Sequence, residues 1–94
     1  MSANNPEIAR IGAALASQRL TINRLEDGSG VVLDVQREQL VSMNRTGLMI
    51  IQAIADGAGA EADIAEQISQ SFGIDLDRAQ QDVRRFARQL AAAL

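Results

Sequence analysis

The sequence predicts an α+β fold: a three-stranded antiparallel sheet followed by three helices, with a further helix or arm in front. Three observations carry that reading. Between Arg19 and Met43 apolar residues recur with period two, interrupted by turn chemistry. From Asn44 onward the spacing changes to threes and fours, as in amphipathic helices. The chain has 94 residues, enough for one domain, because roughly 60–70% of the unfolded surface of a chain this size is buried on folding.

Residues 1–18 read as an N-terminal helix or arm, and residues 19–94 as the domain proper. Pro6 after Asn5 is a cap followed by a first-turn proline, and Ile8, Ile11 and Leu15 continue at helical spacing. The Ala-rich end, AALAS, suits either a packed helix or a frayed arm.

Leu20 and Ile22 alternate with polar neighbours in the first strand. The stretch Glu26-Asp27-Gly28-Ser29-Gly30 then supplies a hairpin turn, and Val31-Val32-Leu33-Asp34-Val35 resumes as a strand expected to turn Val31, Leu33 and Val35 inward. The acidic, Gly-containing loop lacks the Lys and Ser/Thr of a phosphate loop and the ligand spacing of a calcium loop, so it is read as a turn. Gln36 to Gln39 leads into Leu40-Val41-Ser42-Met43, with Val41 and Met43 on one face and Leu40 and Ser42 on the other.

Asn44 can accept from the free N–H groups of the turn that follows it, so it reads as an N-cap. Leu48, Ile51, Ile54 and Ala55 then form a stripe that ends at Asp56-Gly57-Ala58-Gly59. Ile64, Ile68 and Phe72 define a second helix that stops at Gly73. Asp75 caps the last helix, whose stripe is Leu76, Ala79, Val83, Phe86 and Leu90, with Phe86 expected at its buried centre. Sheet first and helices after is compatible with a winged-helix-like domain.

Composition narrows the chemistry. There is no His, Cys, Lys, Tyr or Trp, which removes the usual general base, the thiolate nucleophile and metal ligand, and the Schiff-base amine. A paired-carboxylate hydrolase needs a sizeable pocket, for which a domain with two aromatics has little room. No catalytic residue, metal ligand or cofactor is therefore expected. MSANNPEIAR lacks a basic stretch followed by an apolar run, and no apolar segment reaches the roughly 20 residues that span a bilayer, so a soluble cytoplasmic protein is expected.

Two classes of partner remain. A helix-turn-helix order and Arg78, Arg84, Arg85 and Arg88 on the last helix suggest a winged-helix DNA-binding regulator. Charge argues against it: nine Arg face twelve acids, a net −3, whereas duplex binders present a strongly basic face. Arg78 and Arg85 lie opposite the apolar stripe with Arg88, Arg84 sits on the other flank beside Gln80, and a solvated face accounts for most of this pattern.

The runs VVLDV, SMNRTG, IIQAIADG, DIAEQISQSFGID and DVRRFARQL, in that order, resemble the PqqD family, named for coenzyme pyrroloquinoline quinone biosynthesis protein D. The resemblance spans residues 19–90. Its most telling parts are Met43-Asn44 with Thr46-Gly47, where the family has Leu-Asn-x-Thr-Gly, and Phe72-Gly73-Ile74-Asp75 with Asp82-Val83, Phe86 and Leu90. The resemblance implies a non-catalytic recognition domain of three strands and three helices that binds the leader segment of a ribosomally made precursor peptide and presents it to a modifying enzyme such as a radical SAM maturase.

It further implies that the leader adds as a strand beside Gln39, Leu40, Val41, Ser42 and Met43 and packs toward the last helix at Arg78, Ala79, Gln80, Val83 and Arg84. Ile51 stands where an aromatic often follows the Thr-Gly helix start, which makes the groove less aromatic and leaves open whether the precursor is that of the quinone cofactor. The Ala-rich C-terminus either finishes the core helix or forms a homodimer seam. On charge alone, no useful duplex DNA binding is expected near physiological salt. A gel shift at about 0.15 M salt checks this, and submicromolar, sequence-preferring binding would restore the regulator reading.

Overall fold

A computed structural model describes residues 5–94 of the chain; residues 1–4 of the expected N-terminal segment lie outside the described residues. The elements are α1 (Pro6–Ala16), β1 (Leu20–Arg24), β2 (Gly30–Asp34), β3 (Gln39–Met43), α2 (Arg45–Ala55), α3 (Glu61–Phe72) and α4 (Leu76–Ala93). Local chemistry places their ends. Asn5, the N-cap, accepts from the Glu7 and Ile8 N–H groups through Oδ1, so α1 starts at Pro6. α3 stops where Gly73 takes a left-handed φ of 65°, a conformation that glycine adopts without steric cost. Asp75 stands at the N-cap of α4 but makes no side-chain cap bond.

The sheet has the order β1-β2-β3, with both pairs antiparallel. Ile22 stands opposite Val32, and Val32 opposite Val41. This register settles which face is inward. The expectation that Val31, Leu33 and Val35 point inward is corrected: Val32 is fully buried, Val31 and Leu33 are half-buried, and Val35 is 52% exposed. A polar residue inverted the apparent parity, because Asp34 lies on the inner face, 4% exposed. Gly30 is also inward, where a side chain would collide with Leu48 Cδ1 at 2.8 Å and the Asn23 carbonyl at 2.9 Å.

The helices close the core. Ile8 and Ile11 of α1, Ile50 and Ile51 of α2, Ile64 and Ile68 of α3 and Val83 of α4 are all fully buried. Burying an aliphatic side chain of this size contributes about 1.5–3 kcal/mol each. α4 packs against both α1 and α3, so the N-terminal helix shares the domain's core. The outer members of the expected stripes are open: Ala55 is exposed, Leu76 is 46% and Phe72 38% exposed, and Phe86 is half-buried. On α4 the buried line is Ala79, Val83, Ala87 and Ala91, with Leu90 at its margin, so Phe86 sits one helical step off the centre assigned to it.

Asp34 holds the start of β3. Its Oδ1 accepts from Arg19 Nε at 3.3 Å, Gln36 N–H at 3.1 Å and Arg37 N–H at 3.3 Å, closing the connection from β2 to β3. Glu38 completes that turn with a positive φ of 54°. Burial pushes the Asp34 carboxyl up, but the Arg19 hydrogen bond, the Arg37 and Gln36 N–H groups and the Arg19 charge together outweigh it, so Asp34 ionises below the usual aspartate range. A depressed folded value means that its stabilisation is complete above about pH 3.9 and is lost as the pH falls below that. Urea midpoints at about pH 6 and about pH 2.5 test this, with Asp34→Asn expected to be weaker at the higher pH and to lose less on acidification. An equal drop in both proteins would assign the acid sensitivity to other carboxylates.

Candidate functional site

The free edge of the sheet follows from the ladder. Leu25 N–H donates to the Ser29 carbonyl and Val35 N–H to the Arg19 carbonyl, both at 2.9 Å, and these bonds bracket the β1–β2 pairing. Hydrogen-bonded pairs in an antiparallel ladder recur every second residue, so Val31 and Leu33 turn their backbone groups to β1, while Gly30, Val32 and Asp34 turn theirs to β3. Their partners Met43, Val41 and Gln39 are thereby engaged. Leu40 and Ser42 direct their N–H and C=O groups outward, and among the described residues no other backbone group bonds them.

A cleft runs beside this edge. Val41, Ser42 and Met43 form one wall, Phe86, Gln89, Leu90 and Ala93 of α4 the other, and Asn44 and Gly47 the floor at one end. Its volume of about 280 Å³ admits one or two side chains and is at the foot of the size range of cofactor pockets. A second depression continues from it, sharing Asn44, Gly47, Phe86 and Gln89 and adding Arg78, Asp82 and Arg85. β3 and α4 run in opposite directions along the cleft, since Val41 lies by Ala93 while Asn44 lies by Arg85.

The junction of β3 and α2 sets the floor. Asn44 is extended at φ −74° and ψ 179°, its Oδ1 accepts from Gly47 N–H at 2.8 Å, and its carbonyl accepts from Leu48 N–H at 2.9 Å. Gly47 lies beneath Phe86, whose Cε2 would be 3.2 Å from a Cβ at that position. Absence of a side chain lets the ring rest against the helix and keeps it at the mouth of the cleft.

Of the residues singled out in the sequence, Val41, Ser42 and Met43 line the cleft, and Arg78 lines its extension. Gln39 and Leu40 are exposed farther along β3 and do not line it. Ala79 and Val83 are fully buried in the core, Gln80 is half-buried, and Arg84 is held by Glu61 of α3 with Nη2 to Oε1 at 2.8 Å. The α4 wall is instead Phe86, Gln89, Leu90 and Ala93, with Arg85 beyond. Spacings of three, one and three mark these residues as a second stripe beside the core stripe, a signal that a helical projection contains.

The arginines of α4 are unequal. Arg84 is paired, whereas Arg78, Arg85 and Arg88 make no ion pair among the described residues. Asp82 lies between Arg78 and Arg85 on the cleft side, so the face is mixed in charge rather than uniformly basic. Among the described residues no cluster of carboxylates could hold a metal ion, and no helix is long and apolar enough to cross a membrane.

The family whose model matches residues 29–93 is described as coenzyme PQQ synthesis protein D (PqqD). The chain belongs to the PqqD family. The matched stretch contains the whole of β2, β3, α2, α3 and α4, hence both walls of the cleft. Two solved structures share the fold of this PqqD-family chain. TbiB1 in complex with the TbiA(beta) leader peptide aligns with a TM-score of 0.72 and 20% identity, over 80% of this chain and 85% of that one. Lasso peptide synthetase B1 complexed with the leader peptide aligns with a TM-score of 0.69 and 20% identity, over 80% and 86%. No curated protein matches the chain.

The Asn44 cap is testable apart from any ligand. Asn44→Ala removes the acceptor for Gly47 N–H and should cost about 1 kcal/mol. Thermal melting measures it, and an unchanged midpoint would show that the junction is held by packing alone.

Proposed function

We propose that this PqqD-family protein is a non-catalytic peptide adaptor. An extended leader segment of a ribosomally made precursor adds as a strand on β3, antiparallel to it, and lays alternate side chains into the cleft against α4. The bound precursor is thereby presented to a modifying enzyme, for example a radical SAM maturase. One observation carries the reading: the unbonded N–H and C=O groups of Leu40 and Ser42 stand beside a cleft with apolar walls. It is supported by the two structures of the same fold, each a complex with a leader peptide. The scarcity of catalytic side-chain types agrees with an adaptor.

Energetics suits a reversible complex. Backbone bonds to Leu40 and Ser42 contribute about 1 kcal/mol each, independent of guest sequence. Apolar side chains in the cleft add the remainder, and ordering a flexible peptide offsets much of both, so affinity is expected at about the micromolar level. Nothing in the geometry favours the duplex-binding reading.

Ser42→Pro is the decisive substitution. Its N–H faces the free edge, so proline removes a donor to the guest without removing a bond from the β2–β3 ladder. With the leader of a precursor encoded beside this protein's gene, amide-shift titration should perturb residues 39–43, and the variant should bind at least about tenfold more weakly while its circular dichroism is unchanged. Shifts clustered on the Glu26–Gly30 hairpin or on α1 would exclude strand addition.

A further inference from the structure

The two depressions beside β3 differ in chemistry, and their order along the strand is fixed. The first has walls of Val41, Met43, Phe86, Leu90 and Ala93. The second has two exposed guanidinium groups, Arg78 and Arg85, neither of them in an ion pair among the described residues, against the single carboxylate of Asp82. Its end of the cleft is therefore net positive, in a chain whose net charge is −3.

Direction follows from topology. A strand that adds antiparallel to β3 runs parallel to α4, because β3 and α4 run oppositely along the cleft. Its N-terminal part therefore meets Arg78 and Arg85, and its C-terminal part meets Leu90 and Ala93. Bonding to Leu40 and Ser42 places the guest residues opposite Met43 and Val41 on the inner face, facing α4, with one outward residue between them. Arg85 and Leu90, one from each depression, are separated by about 7.5 Å of helical rise, close to the roughly 6.8 Å spanned by two strand residues.

We propose that the cleft reads its guest in order, selecting a carboxylate side chain two residues before a large apolar side chain. The carboxylate sits opposite Met43, at the end of the first depression where the second begins, and meets Arg85, while Arg78, about 10.5 Å of rise farther along α4, adds to the positive field there. The apolar group sits opposite Val41 between Phe86 and Leu90. This rests on the strand-addition reading above and gives it a specificity: the partner is a peptide containing the sequence acidic, any, apolar in that direction.

The test uses isotope-labelled protein and four acetylated, amidated peptides of serine and threonine, each about nine residues long, with Glu-Thr-Leu, Gln-Thr-Leu, Leu-Thr-Glu or Glu-Thr-Ala at the centre. Amide shifts of residues 39–43 report binding even when it is weak. The Glu-Thr-Leu peptide should bind about fivefold more tightly than its Gln counterpart and than the reversed peptide, and the Glu–Gln gap should close at about 1 M salt. In the Arg78→Gln, Arg85→Gln double variant, both at exposed positions, the Glu–Gln gap should vanish while the Leu–Ala gap remains. Equal binding of the Glu and Gln peptides, or of the forward and reversed peptides, with shifts still at residues 39–43, would overturn the ordered code and leave strand addition standing. No shift at those residues with any peptide would overturn both.

Discussion

Everything at the cleft depends on one strand-to-helix junction. Asn44 is the residue at which β3 stops and α2 begins, and its side chain takes the Gly47 N–H that the helix cannot satisfy itself. Because the cap is side chain to backbone, the chain changes from strand to helix without an intervening loop. Ser42 therefore stands one residue from the end of its strand, with its backbone groups still facing out and α4 opposite. Gly47 adds the second half of the constraint, since a Cβ there would stand 3.2 Å from Phe86 Cε2 and press the ring away from the first turn of α2 by a few tenths of an ångström.

The other end of β3 is held by charge. Asp34 is buried among Arg19 and two backbone N–H groups, and Arg19 also reaches the Leu94 carbonyl at 3.0 Å, tying the sheet to the end of α4. A partly buried ion pair of this kind is a weak source of net stability, because desolvation of the buried carboxylate consumes much of the attraction. Its value is geometric: it fixes the β2–β3 turn and hence the register that sends Leu40 and Ser42 outward. Arg37 adds a further bond to the Leu94 carbonyl at 3.0 Å, so both ends of the cleft are anchored.

An open edge invites self-association, and the fold limits that hazard by length. β3 has five residues, of which two face the free edge, so few bonds are available to another sheet. Leu40, 69% exposed on the outer face, is the exception to an otherwise modest surface there. In the proposed strand addition the division of labour is physical: backbone groups would bind any extended chain, and the α4 wall would decide which one.

Much was legible in the sequence because it rests on short-range chemistry. The cap at Asn44, the stop at Gly73, the proline start at Pro6 and the alternation of Val41 and Met43 are each set by residues within one turn or strand, and the structure has them where local rules put them. Parity in β2 was not legible, since a strand of Val31, Val32, Leu33 and Val35 is apolar on both faces and only pairing with Arg19 brought Asp34 inside. The α4 wall was hidden for a similar reason: Ala79 and Val83 are small enough to belong to a groove or to a core, and close packing against α3 assigned them to the core. Phe86, Gln89, Leu90 and Ala93 became a wall because β3 happens to lie opposite them. Periodicity tells which residues share a face; only the tertiary arrangement tells what that face meets.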